Sequence, residues 1–143
     1  MFIGEYQHAL DGKGRLAIPV KFRSDLKRGA VVTRGLDNCL FVYTKSAWLV
    51  LAKKLAALPI SQSNTRAFAR LMLAGAMDVE IDSQGRVLLP DYLRTYAGLK
   101  KDIVVAGLYD RLELWDKARW SVYKKTTEKS SSAIAEALGE LRV

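Results

Sequence analysis

Apolar and polar positions along the first sixty residues fall into short blocks with different periods. Glu5-Tyr6-Gln7-His8-Ala9-Leu10 alternates as a short strand does, Asp11-Gly12-Lys13-Gly14 has turn chemistry, and Arg15 to Ile18 reads as the return strand of a hairpin. Pro19 stops strand pairing and suits the first turn of a short helix reaching about Leu26. Ala30-Val31-Val32-Thr33 and Leu40–Tyr43 are two further strands around a Gly-containing turn. Thr44 is then a good N-cap for a helix with Trp48, Leu51, Leu55 and Leu58 on one face, ending near Pro59. Ser61-Gln62-Ser63-Asn64 forms a polar bridge to a second amphipathic segment carrying Phe68, Leu71 and Met72.

The same order then repeats. Asp11-Gly12-Lys13-Gly14-Arg15-Leu16-Ala17-Ile18-Pro19 returns 71 positions later as Asp82-Ser83-Gln84-Gly85-Arg86-Val87-Leu88-Leu89-Pro90, since 82 − 11 = 71. Gly4 matches Gly75 and Leu10 matches Ile81. After a one-residue slip, Gly35-Leu36 matches Gly107-Leu108, Leu40 matches Leu112, and Tyr43, Lys45 and Trp48 match Trp115, Lys117 and Trp120. The chain is a tandem duplication, and each copy reads β-β-short α-β-β. In the second copy Pro90 opens a helix from Asp91 to Ala97 that Gly98 terminates, Ile103-Val104-Val105-Ala106 and Leu112–Trp115 are strands, and Asp116 takes the cap position of Thr44. Its last helix carries Trp120 and Tyr123 and fades into Lys129-Ser130-Ser131-Ser132; Ala133–Leu141 is a short helix or a mobile tail. Halves of about 70 residues are marginal alone, so they are expected to pack on each other or on neighbouring subunits.

Charge distinguishes the copies. Residues 1–71 hold twelve Lys and Arg against four Asp and Glu, 12 − 4 = +8; residues 72–143 hold eleven against eleven, 11 − 11 = 0. The excess is concentrated between Lys13 and Arg34, where Lys13, Arg15, Lys21, Arg23, Lys27, Arg28 and Arg34 face only Asp25. A charge run alone is ordinarily a solvated surface. Centred on a duplicated turn, it points to a polyanion-binding face.

The Asp-x-x-x-Arg element has a mechanical rationale. With three loop residues, Asp11 and Arg15 lie opposite one another at the mouth of the turn, as do Asp82 and Arg86. A carboxylate there holds one edge of a guanidinium while the other edge remains for a phosphate or the O6/N7 edge of guanine. Gly14 and Gly85 permit positive φ and a thin turn. Lys13 and Gln84 occupy equivalent tips, where Lys suits phosphate or guanine and Gln suits phosphate or adenine. The bland alternative is an exposed ion pair that clamps the turn, worth about 0–1 kcal/mol. A turn needs Gly, but it does not need Arg at one fixed position twice.

Other chemistry finds little support. His8 is the only histidine and Cys39 the only cysteine, which rules out an intrachain disulfide and a Cys-based zinc site. There is no Gly-x-Ser-x-Gly elbow, Walker loop or metal-ligand spacing, so no catalytic residue, metal or cofactor is assigned. Trp48, Trp120 and Tyr6 read as packing residues, and Lys53-Lys54 and Lys124-Lys125 as polar helix faces. No stretch approaches the roughly 20 apolar residues of a membrane span, and the start lacks a leader pattern, so a soluble protein of a reducing compartment is expected.

Together, Met1-Phe2-x-Gly4, the two Asp-x-x-x-Arg turns, the apolar-Pro segments after them and Leu112-Glu113-Leu114-Trp115 resemble the MraZ family nearly to Lys125. The resemblance implies an α+β fold of two tandem, pseudo-symmetric AbrB-like swapped-hairpin repeats of the double-split β-barrel type. It places the first repeat at 1–58, a helical linker at 59–74, the second repeat at 75–125 and a tail at 126–143. It also implies a nucleoid-associated cytoplasmic transcriptional regulator of the division and cell-wall operon containing its own gene. Such a protein binds double-stranded DNA upstream of that gene as a ring-shaped homo-oligomer, with no membrane or small-molecule substrate. By position, Arg15 and Arg86 are the main DNA contacts, Asp11 and Asp82 orient them, and Lys13, Gln84, Gly14 and Gly85 complete the turns. Head-to-tail packing suits direct repeats about one helical turn, roughly 10 base pairs, apart. The alternative is an antitoxin-like protein of the same fold acting mainly through a protein partner.

Overall fold

The apolar runs become strands buried on both faces. The computed structural model describes residues 1–142; Val143, the end of the expected 126–143 tail, lies outside them. The first copy contains β1 (Phe2–Ala9), β2 (Arg15–Ala17), α1 (Val20–Arg23), β3 (Ala30–Arg34), β4 (Leu40–Thr44) and α2 (Lys45–Ala56). A connecting helix, α3 (Ser63–Ala69), ends in a π turn at Arg70–Ala74. The second copy contains β5 (Met77–Val79), β6 (Arg86–Leu88), α4 (Asp91–Ala97), β7 (Asp102–Tyr109), β8 (Leu112–Asp116) and α5 (Lys117–Lys129). The chain closes with α6 (Ser131–Ala137) and a 3-10 turn at Gly139–Leu141, so a short helix stands in the segment read as helix or tail. No helix among the described residues is long and apolar enough to cross a membrane.

The strands form a six-stranded sheet in the order β1-β7-β8-β4-β3-β5 and a separate ribbon of β2 and β6. These pairings correct the simple hairpin reading. Asp11 and Arg15 close the first turn and Leu10 bridges Leu16, but the arms then separate. β1 runs antiparallel to β7 of the other copy from Phe2↔Tyr109 to Ala9↔Asp102, while β5 pairs with β3, and β2 pairs with β6. Each copy thus gives its first strand to the other, the swapped-hairpin arrangement of two tandem AbrB-like repeats. The exchange is unequal, with eight paired residues in β1 and three in β5, because the chain enters the second copy directly from the π turn.

Alternation along the central strands divides the core. Leu40 and Val42 of β4, Leu112 and Leu114 of β8, and Ile103 and Val105 of β7 face a cluster shared with Leu16, Val87, Phe22 and Leu93. Phe41, Tyr43, Val104 and Trp115 face the opposite cluster, covered by Leu55, Met72, Trp48 and Trp120 from the helices. Trp48 and Trp120 therefore pack, as does Tyr6, whose ring meets Phe22 edge-on at 5.4 Å. Lys53 and Lys54 are exposed on α2; Lys124 instead forms a 2.6 Å ion pair with Glu5, tying α5 to β1.

The two expected caps differ. The Thr44 hydroxyl accepts the Ala47 N–H at 3.1 Å, as an N-cap should. Asp116 is buried and makes no cap bond to its own helix; its carboxylate accepts the Lys100 N–H at 3.2 Å. A tertiary donor outcompetes the local one there, because a buried carboxylate must be satisfied by whichever N–H reaches it.

Candidate nucleic-acid interface

Two turns with the same wiring stand at the ends of β2 and β6. In the first, the Asp11 carboxylate accepts the N–H groups of Lys13 and Arg15, both at 2.9 Å, and Arg15 Nε at 2.7 Å. In the second, Asp82 accepts the N–H groups of Gln84 and Arg86, both at 2.9 Å, and Arg86 Nε at 3.0 Å. The main chain repeats as well: Gly14 N–H donates to the Asp11 carbonyl and Gly85 N–H to that of Asp82. Gly14 lies at φ +82° and Gly85 at φ +78°, the left-handed position that ends a three-residue loop of this kind. The sequence pattern acts locally here because every partner lies within four residues.

The carboxylates are held ionised by these donors. The Arg15 backbone N–H is the largest influence on Asp11; desolvation opposes it, and with the Arg15 side chain and the Lys13 N–H acting in the same direction as the backbone bond the pKa falls to about 2. Asp82 is shifted in the same direction, led by the Arg86 backbone N–H. An ionised Asp in turn keeps the Nε edge of each arginine fixed.

The ribbon brings the turns together. Register pairs Arg15 with Leu88, Leu16 with Val87, and Ala17 with Arg86. Residues directly opposite share a face, so Arg15, Ala17, Arg86 and Leu88 lie on one side while Leu16 and Val87 are fully buried beneath. Leu88 is 57% exposed, and the two arginines are partly exposed. Arg86 Nη1 reaches within 3.8 Å of Asp11, linking the two turns across the ribbon. Crossed main-chain bonds, from Ile18 N–H to the Gly85 carbonyl and from Leu89 N–H to the Gly14 carbonyl, both at 2.9 Å, lock each turn to the opposite copy. The eight residues singled out thus fall in two turns at the two ends of one short ribbon, Asp11, Lys13, Gly14 and Arg15 in the first and Asp82, Gln84, Gly85 and Arg86 in the second, with Arg86 and Asp11 joining them.

A second pair of arginines was not singled out by the turn motif. Arg23 donates its Nε–H to the Ile18 carbonyl at 2.8 Å and lays its guanidinium against Gly85; Arg94 donates to the Leu89 carbonyl at 3.0 Å and lies against Gly14. A Cβ placed on Gly14 would stand 2.9 Å from Arg94 Cζ. The signal was present, since 94 − 23 = 71 repeats the offset of the turns. What the sequence withheld was that each arginine covers the turn of the other copy.

The remaining reactive groups are placed elsewhere. Cys39 is buried in the helix-covered cluster, where burial pushes its thiol well above the usual range, and its Sγ donates to the Leu36 carbonyl at 3.2 Å. His8 has its pKa lowered by partial burial, with the Arg23 charge adding to the effect. Among the described residues, no three His, Cys, Asp or Glu side chains gather as a metal site.

Comparison with known proteins adds a relationship to this geometry. The chain matches the family described as "MraZ protein, putative antitoxin-like" twice, over residues 1–71 and 72–141. It is 48% identical over 143 residues, the whole of both chains, to a protein of Acetivibrio thermocellus named transcriptional regulator MraZ. A protein of the same name from Halothermothrix orenii is 49% identical over 143 residues, again the whole of both chains. One from Natranaerobius thermophilus is 48% identical over 138 residues, 96% of each chain.

Proposed function

The chain belongs to the MraZ family, and from that premise we propose that it is a DNA-binding transcriptional regulator, not an enzyme, acting upstream of its own gene in a division and cell-wall operon. The observation that carries this reading is the ribbon face, which two Asp-held arginines share diagonally, Arg15 opposite Leu88 and Arg86 opposite Ala17. Each carboxylate takes the Nε edge of its guanidinium, and the Nη edge is the part a phosphate or a guanine O6/N7 edge would take. Holding Arg in one orientation before binding reduces the side-chain entropy lost on binding. A two-stranded ribbon is also narrow enough for the major groove.

The two repeats, 1–58 and 75–125, act as one unit joined through 59–74, with 126–143 as an appendage. Head-to-tail assembly of such units into a ring presents ribbons repeatedly in one direction, which suits direct repeats about one helical turn, roughly 10 base pairs, apart. Self-association has a candidate surface in an open cleft of about 590 Å³ between α5 and the Asp37–Asn38 turn, where Trp115, Val122 and Tyr123 stand beside Asp37, Asn38, Arg119 and Thr126. Nucleoid association follows from salt-sensitive attachment to phosphates.

The test is fluorescence anisotropy of the full chain on a duplex from immediately upstream of its gene, across a salt series, beside a scrambled duplex. Tight binding to the native duplex that falls steeply with salt and collapses on Arg15→Ala is the expected result. Equal weak binding to both duplexes, unaffected by the substitution, refutes it and turns attention to the antitoxin-like reading through a protein partner. Sedimentation of the same sample tests the ring, which a monomer at all concentrations would exclude.

A further inference from the structure

By sequence, the second turn is the poorer site for a polyanion. Its tip is Gln84 where the first has Lys13, and its copy carries no net charge while the first carries +8. The strand exchange changes the neighbourhood of that turn. Arg23 of the first copy reaches across to Gly85, held by its bond to the Ile18 carbonyl. Beside it, Arg23, Ser24 and Lys27 from the first copy and Ile81 and Asp82 from the second line an open pocket of about 320 Å³. The Asp82 carboxylate is already occupied by two backbone N–H groups and Arg86 Nε, so it competes weakly for the cations opposite.

The first turn has a different supply. Seventy-one positions after Arg23, Ser24 and Lys27 stand Arg94, Thr95 and Gly98, so the equivalent segment of its neighbouring copy provides the covering arginine but has glycine at the position of Lys27. Its lysine is its own, Lys13. We propose that Lys27, set beside the second turn with Arg23, is that turn's contact to a DNA phosphate, supplied in trans by the basic copy. Each turn then has one Asp-held arginine, one arginine laid on its glycine by the opposite copy, and one lysine. Both turns grip DNA, although the net charge of the chain lies in one copy. The inference rests on the DNA-binding reading above, and it identifies which side chain completes the second contact.

The test uses the full chain and the labelled upstream duplex, with Lys27→Gln, Lys13→Gln, and Lys27→Gln combined with Arg86→Ala or with Arg15→Ala. Lys27 is exposed, so the substitution is expected to leave the thermal melt unchanged. Lys27→Gln is expected to weaken binding roughly threefold to tenfold and to lower the slope of log K against log salt by about 1, as Lys13→Gln does. The further loss should nearly vanish when Arg86 is already Ala and persist in full when Arg15 is Ala. Unchanged affinity and salt slope in Lys27→Gln, with Lys13→Gln still weakened, overturns the trans contact and leaves the DNA-binding reading standing. Failure of the unaltered protein to prefer its own duplex overturns both.

Discussion

Replacing Gly14 with Ala tests the turn and the crossed arginine at once. The residue sits at φ +82°, where an L side chain costs about 1–2 kcal/mol. The new Cβ would also stand 2.9 Å from both Cζ and Nε of Arg94, so the guanidinium must move and give up its 3.0 Å bond to the Leu89 carbonyl, about 1 kcal/mol more. The sum, about 2–3 kcal/mol, corresponds to a drop of about 6–12 °C in Tm for a domain of this size. Gly12→Ala is the control: Gly12 is not in the left-handed region, no atom lies within 4 Å of its added Cβ, and Ser83 occupies the equivalent position. It should change stability by less than about 0.5 kcal/mol. In an Arg94→Ala background the collision is gone, and Gly14→Ala should cost only the backbone share, giving a coupling of about 1 kcal/mol between the two sites. Thermal and urea melts of the four proteins measure this. Equal destabilisation by Gly12→Ala and Gly14→Ala, or strict additivity of Gly14→Ala with Arg94→Ala, would refute the packing argument.

Three further outcomes are expected. Because Asp11 titrates at about 2 when folded against an ordinary value of 3.8, its contribution to stability is fully present above about pH 5 and is lost as pH falls through 4 toward 2; Asp11→Asn should flatten that acid limb in urea titrations taken from pH 6 to 2. Leu16→Ala removes a fully buried side chain beneath the ribbon and should cost about 2–5 kcal/mol by urea melt, with loss of DNA binding only at temperatures where the protein unfolds. Cys39, buried with its thiol pKa raised, should resist a thiol reagent at pH 8 in the native protein and react at once in denaturant; rapid native labelling would contradict its placement.

Much of the molecule could be read from the chain because its causes are local. The Asp11 and Asp82 networks span four residues, Thr44 caps the helix that follows it, and Pro90 and Gly98 bound α4, so each is specified by residue type and spacing. The offset of 71 made the second turn legible from the first, and the resemblance carried by these motifs supplied the fold type. The sequence was less informative about partners. An alternating segment shows which face of a strand is apolar, but β1 would alternate in the same way whether it paired with β2 or with β7. Asp116 shows the same limit for a side chain, since Lys100 draws away a carboxylate that local rules assign to its own helix.

By itself, then, the sequence determined a duplicated fold, two carboxylate-held arginines on glycine turns, and a charge excess confined to the first copy. Only the tertiary structure decided that the first strands exchange, that Arg15 and Arg86 share one face of a ribbon, and that Arg23 and Arg94 cover each other's turns. The physical reason is that turns and caps close their hydrogen bonds within a few residues, whereas a strand edge can be satisfied by any complementary edge. The choice among edges falls to burial of the whole core, which here places Leu16 and Val87 under a ribbon that neither copy can form alone.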